Sequence, residues 1–232
     1  MERPDYGAGG WVGVGTPQAN PTVEAEMHRL LPKDVEALTT RLTSQLASSD
    51  GRLVAYLENL TDSLRAFDTL PLDVFGFACT GSTYLVGQKR ETEIAAAAEK
   101  AFGYPVITAA KAVRQTLEQL GAERLALVAP YPKHLVDAAV AHWEAIGVRV
   151  TALRRIDLGS IDTRLIYRLG SADILRELET FEPGAADVIL VSGTGVPTLN
   201  ALGPAETKFG RPVISSNSCL ARAMIEVLAK NS

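Results

Sequence analysis

Short apolar runs alternate with amphipathic stretches along most of the chain. The runs Trp11–Gly15, Val74–Ala78, Pro105–Thr108, Leu125–Ala129, Val148–Leu153, Val188–Val191 and Pro212–Ser215 are brief and nearly free of charge, as strands buried on both faces are. Between them, apolar residues recur three and four apart. That spacing predicts helices over Thr22–Leu31, Gly51–Phe67, Ile94–Phe102, Ala109–Leu120, Leu135–Ile146, Ala172–Phe181 and Ser218–Ala229. Strand and helix in alternation predict an α/β fold: parallel sheets with helices on both faces.

The pattern also repeats. Asp73-Val-Phe-Gly-Phe-Ala-Cys-Thr-Gly-Ser-Thr-Tyr-Leu85 aligns with Asp187-Val-Ile-Leu-Val-Ser-Gly-Thr-Gly-Val-Pro-Thr-Leu199, 114 residues later. Gly103-Tyr-Pro-Val-Ile-Thr108 aligns with Gly210-Arg-Pro-Val-Ile-Ser215 at 107, and Val14-Gly-Thr-Pro17 with Leu127-Val-Ala-Pro130 at 113. Three matches in one order at nearly one offset predict two pseudo-symmetric, doubly wound halves. Ligands of parallel sheets bind beyond the strands' carboxyl ends, so the Cys79 loop and the Gly193 loop are expected to face one cleft. The expected division is a flexible lead-in over 1–10, a first half from 11–108 and 210–232, and a second half from 109–209. The strand near Pro212 is expected to return to the first half.

Composition narrows the function. At 47% hydrophobic and 22% charged, the 232 residues can build a proper core. A formal net charge of −4 advertises no phosphate-binding surface, so neither nucleic acid nor an anionic membrane is an expected partner. Two cysteines make no disulfide framework, and there is neither a long apolar run nor a signal-peptide layout. A soluble cytoplasmic protein with reduced thiols is expected. Three histidines, with His134 and His142 read as facing water, offer no metal site.

Cys79 is the sharpest chemical candidate. It ends a predicted strand, precedes Thr80-Gly81-Ser82 and opens a predicted helix, whose amides lower a thiol's pKa and bind carboxylates; the plain reading is a buried structural thiol. In the matching loop Ser192-Gly193-Thr194-Gly195, glycine lets backbone amides approach a ligand, or simply makes a tight turn. Asn20, in Pro17-Gln-Ala-Asn20-Pro21, either donates to an anion or caps a helix. Tyr131, stiffened between Pro130 and Pro132, either donates to an oxyanion or packs. Ser215-Ser-Asn-Ser-Cys219 reads as a helix cap with a structural Cys219, and Glu24 and Glu26 as complements to a helix dipole. The glycines Gly13 and Gly15 lack the spacing of a dinucleotide loop.

Together, Thr16-Pro17…Asn20…Glu24, Cys79-Thr80-Gly81-Ser82, Pro130-Tyr131-Pro132 and Gly210-Arg-Pro-Val-Ile-Ser-Ser-Asn217 resemble the aspartate/glutamate racemase superfamily. The resemblance is to its branch of maleate cis-trans isomerases and arylmalonate decarboxylases, and it spans about residues 11–228. It implies two α/β halves around a shared site for a small dicarboxylate, without metal or organic cofactor. It implies Cys79 and Tyr131 as catalytic groups, with Thr16, Pro17, Asn20, Thr80, Gly81, Ser82, Gly193, Thr194 and Gly195 binding substrate. Isomerases and racemases of the family use two cysteines, whereas Gly193 stands at the second position here. The decarboxylases use one, on the second loop; here the arrangement is mirrored, and Thr80-Gly81 replaces the family's Thr-Ser. One thiol suffices to protonate an enediolate, so the leading expectation is decarboxylation of a malonate-type diacid, with Cys79 as proton donor. The alternative is a maleate isomerase or racemase-like enzyme with Cys79 as nucleophile, and the third reading a non-catalytic carboxylate binder. The oligomeric state stays open, a homo-oligomer included.

Overall fold

The computed structural model describes residues 5–231. Its first sheet holds β1 (Gly10–Pro17), β2 (Val35–Leu42), β3 (Val74–Phe77) and β4 (Val106–Thr108). Its second holds β5 (Arg124–Ala129), β6 (Arg149–Arg155), β7 (Val188–Val191) and β8 (Val213–Ser215). The strand orders are β2-β1-β3-β4 and β6-β5-β7-β8, parallel throughout, so one topology occurs twice. The helices are α1 (Thr22–Leu30), α2 (Ser49–Glu58), α3 (Leu60–Leu64), α4 (Thr80–Val86), α5 (Gln88–Phe102), α6 (Ala109–Gln119), α7 (Lys133–Ala145), α8 (Ser171–Glu179), α9 (Leu199–Phe209) and α10 (Ser216–Asn231). No helix among the described residues is long and apolar enough to cross a membrane.

The repeated residues do repeated jobs. Asp73 accepts the Trp11 amide (2.7 Å), and Asp187 accepts the Arg124 amide (2.9 Å), each tying one strand to its neighbour. Glu99 caps the Val106 amide and Glu206 the Val213 amide. Gly103 and Gly210, both left-handed, end α5 and α9. Thr108 and Ser215 hydroxyls cap the helices that follow β4 and β8.

Several elements differ from the sequence reading. The strand near Pro212 does not return to the first sheet: β8 pairs with β7. What crosses back is α10, which packs on α6 and β3. Gly76 permits this approach, since a Cβ there would lie 2.6 Å from the Met224 sulfur. β2 escaped notice because an edge strand alternates exposed and half-buried residues and so lacks an apolar run. α9 escaped because Gly203 and Pro204 interrupt it. The stretch predicted as one helix over Gly51–Phe67 is broken at Asn59 into α2, α3 and a 3-10 turn. The lead-in is partly tied down: the Gly9 amide donates to the Asp34 carbonyl and Gly10 already belongs to β1, while residues 1–4 lie outside the described residues. Gly13 and Gly15 make room for Phe75, which a Cβ at either position would strike within 3 Å.

Candidate active site

The carboxyl ends of both sheets meet at one cleft, lined by loops from each half. β3 delivers Cys79 to it at the entry to α4, with the thiol 4% exposed. Ser82 Oγ donates to its sulfur at 3.2 Å. Burial raises its pKa; the hydroxyl and the Gly81 and Ser82 amides pull the other way, less strongly. No cationic side chain lines the cleft among the described residues, so Cys79 rests as a thiol.

Gly193 lies on the opposite wall with φ +114, a left-handed conformation that side chains rarely adopt. A Cβ there would sit 3.2 Å from both Tyr131 Oη and Val196 Cγ2. Tyr131, carried past β5 between its prolines, lies 3.0 Å from Thr80 Oγ1 and 3.4 Å from Ser192 Oγ, oxygen to oxygen. Ser192 in turn contacts Tyr84 Oη at 2.9 Å. Burial lifts the Tyr131 phenol to about 12, which keeps it a neutral donor.

Asn20 stands both at the entry to α1 and in the wall of the cleft. Its Oδ1 accepts the Thr22 amide at 2.9 Å, opening α1, while its buried Nδ2 has no partner among the described residues and the residue lines the cleft. A buried donor left without an acceptor is costly unless a ligand satisfies it. Pro17, Thr80, Gly81 and the Gly193–Gly195 loop also line the cleft; Thr16 and Ser82 do not, both being fully buried behind its wall. The Thr194 hydroxyl is committed to the Ala78 carbonyl at 2.8 Å, binding one loop to the other across the halves. Its amide and that of Gly195 have no acceptor among the described residues.

Sequence reasoning missed the roof. The connection over 156–170 lays Ile166 and Tyr167 over the cleft, with Tyr167 so close to Gly195 that a Cβ there would lie 2.6 Å from its ring. Asp162 fastens this strap to the first half, 3.3 Å from Arg52 and 3.4 Å from Ser49 on α2. An irregular segment carries no periodic signal, and its position follows only from the tertiary contacts. One carboxylate and one imidazole sit otherwise than the sequence suggests. Glu26, read as a complement to a helix dipole, is buried among Thr198, Leu199 and Asn217. His142 is buried against Tyr84 and Trp143, and burial lowers its pKa to about 4. Cys219 packs away from the cleft in α10.

The open space within the cleft and at its mouth comes to about 360 Å³, solvent at the mouth included. The cleft offers one thiol, neutral donors from both halves and apolar flanks from Leu53 and Leu135. Such a set suits carboxylate binding and proton or addition chemistry beside it.

The family described as arylmalonate decarboxylase matches residues 12–231. The chain is 26% identical over 227 residues to a maleate isomerase of Nocardia farcinica, covering 94% of this chain and 89% of that one. It is 26% identical over 208 residues to the arylmalonate decarboxylase of Bordetella bronchiseptica, covering 89% and 85%. Among solved structures, the maleate isomerase of Pseudomonas putida S16 with maleate superposes with a TM-score of 0.85 at 22% identity, covering 94% and 92% of the two chains. A Nocardia farcinica isomerase variant, with one cysteine changed to serine and a covalently bound succinylcysteine, gives 0.83 at 22% identity with the same coverage.

Proposed function

The chain belongs to the arylmalonate decarboxylase family, and from that premise we propose that it is a single-thiol, cofactor-independent enzyme for a small dicarboxylate, working as a maleate-type cis-trans isomerase. One observation carries the reading: a lone thiol, Cys79, faces a small donor-lined cleft with glycine opposite. The isomerases among its relatives, and the succinyl thioether in one of them, support this over the decarboxylation that one thiol alone would also suit.

In the proposed reaction the Cys79 sulfur adds to one alkene carbon. The thiol proton passes to a substrate carboxylate oxygen, and the π pair moves into the neighbouring carboxylate as an enediolate. The amides of Thr194 and Gly195, the Asn20 amide and Tyr131 Oη stabilise that charge. The former double bond is now single and rotates. Collapse of the enediolate expels the sulfur, which recovers its proton, and leaves the trans diacid. No C–H bond forms, so no second thiol is required.

Proton NMR in deuterated buffer, with maleate and phenylmalonate offered in parallel, tests this. The expected product is fumarate without deuterium at carbon. A second reading, decarboxylation of a malonate-type diacid, is favoured by the same burial that keeps Cys79 a proton-donating thiol. Monodeuterated phenylacetate, with maleate untouched, would replace the first reading by the second.

A further inference from the structure

We propose that Glu26 is a positioning residue: through Asn217 it sets the backbone of the Gly193–Gly195 loop. This rests on the reading of that loop as the carboxylate-binding wall. Glu26 lies on α1 in the first half and is 4% exposed. Its Oε1 accepts the Thr198 amide at 2.5 Å and the Leu199 amide at 3.1 Å, both at the start of α9. Its Oε2 accepts Asn217 Nδ2 at 2.7 Å, from the first turn of α10. The Thr198 hydroxyl reaches both oxygens at 3.2 and 3.3 Å and Ser215 Oγ at 2.9 Å.

Asn217 uses the same Nδ2 to donate to the Thr194 carbonyl at 3.0 Å, while its Oδ1 has no partner among the described residues. Among those residues, Glu26 and that carbonyl alone hydrogen-bond the side-chain amide. With the Thr194 carbonyl held inward and the Gly193 amide bonded to Ser216 Oγ at 3.1 Å, the peptide planes of the loop have little freedom. The free Thr194 and Gly195 amides are left for the ligand. An amide donor array acts on developing charge only when its orientation is fixed beforehand. A carboxylate from the other half of the molecule therefore does so without touching the substrate.

Glu26→Gln separates this role from general support. The glutamine Oε1 can keep the Thr198 and Leu199 amides, but its Nε2 confronts Asn217 Nδ2. Asn217 turns its amide to satisfy the glutamine, and the Thr194 carbonyl then faces Asn217 Oδ1. Backbone hydrogen exchange of Gly193 and Val196, whose amides are bonded in the present loop, is expected to quicken at least about tenfold in Glu26→Gln. The amides of Thr198 and Leu199 should keep their protection. On maleate, kcat/KM should fall by about tenfold or more at a near-unchanged unfolding midpoint. Unchanged exchange at Gly193 and Val196, or loss of protection spread evenly across α9 and α10, overturns the proposal. A wild-type protein inert toward maleate overturns only the functional reading, since the exchange measurement stands without turnover.

Discussion

A thiol buried to 4% exposure with no cation beside it titrates late. Alkylation of Cys79 by iodoacetamide should therefore be slow at neutral pH and still climbing past pH 9, since only the thiolate reacts and burial raises its pKa. Mass spectrometry of the labelled peptide across pH 6 to 10 reads this directly; a plateau below pH 8 contradicts the environment described. Cys79→Ser should abolish turnover, by roughly a thousandfold or more if the sulfur is the nucleophile. Cys219→Ala, away from the cleft, should cost about 1–2 kcal/mol of stability and little activity. Cys79, Tyr131 and Asn20 stood out in the sequence because each follows a strand, where parallel sheets place their sites. Glu26 did not, because a carboxylate near the start of a helix looks the same in sequence whether it faces water or a partner 172 residues away.

Among the elements, the strap over 156–170 lies over the cleft. It is held to the first half by Asp162 and by the Thr163 amide, which donates to Ser49 Oγ at 3.3 Å; Arg164 of the strap itself, with a smaller share from Arg52, keeps the Asp162 carboxylate down to about 2. The group is partly exposed, so its worth in stability is small, but its position over the cleft makes it matter to ligand exchange. The sign is that of a depressed acid: the contact is complete above the ordinary carboxylate pKa near 4 and is lost as pH falls from there through about 2. Asp162→Asn should loosen the strap, raising KM for the diacid severalfold and speeding product release. Hydrogen exchange over 160–168 should quicken with it; unchanged exchange there would remove the strap from the account. None of this was readable beforehand, because the strap has neither period nor repeat. β8 is a different case: the repeat that matches Gly210–Ser215 to Gly103–Thr108 already makes it the counterpart of β4, and it pairs with β7 as β4 pairs with β3.

The whole molecule is two copies of one topology, with the last helix of the second laid over the first. α10 lies on α6 and on β3 of the first sheet, and across the halves Glu26 accepts the Thr198 amide while the Thr194 hydroxyl donates to the Ala78 carbonyl. The chain should unfold in one calorimetric transition, with calorimetric and van't Hoff enthalpies equal. Its stability should also fall in mild acid. His142 stays neutral in the fold down to about pH 4, whereas in the unfolded chain it charges near 6.5. A depressed base gives stability that is complete above 6.5 and is lost as pH falls through 4, here amounting to about 3 kcal/mol. His142→Phe should flatten that slope; an unaltered slope would place the titrating group elsewhere.

The sequence by itself determined the α/β class, the doubling of one unit and the residues at the ends of its strands. Those depend on local periodicity and on residue types repeated at a constant offset, both visible along a line. Only the tertiary structure decided that α10 crosses to cover the first sheet and that a buried carboxylate from α1 steadies a loop of the other half. It also decided that an irregular strap roofs the cleft, and that the Thr194 hydroxyl is spent on Ala78. Each of those depends on contacts between residues far apart in the chain, where burial and partner, rather than residue type, set what a side chain does.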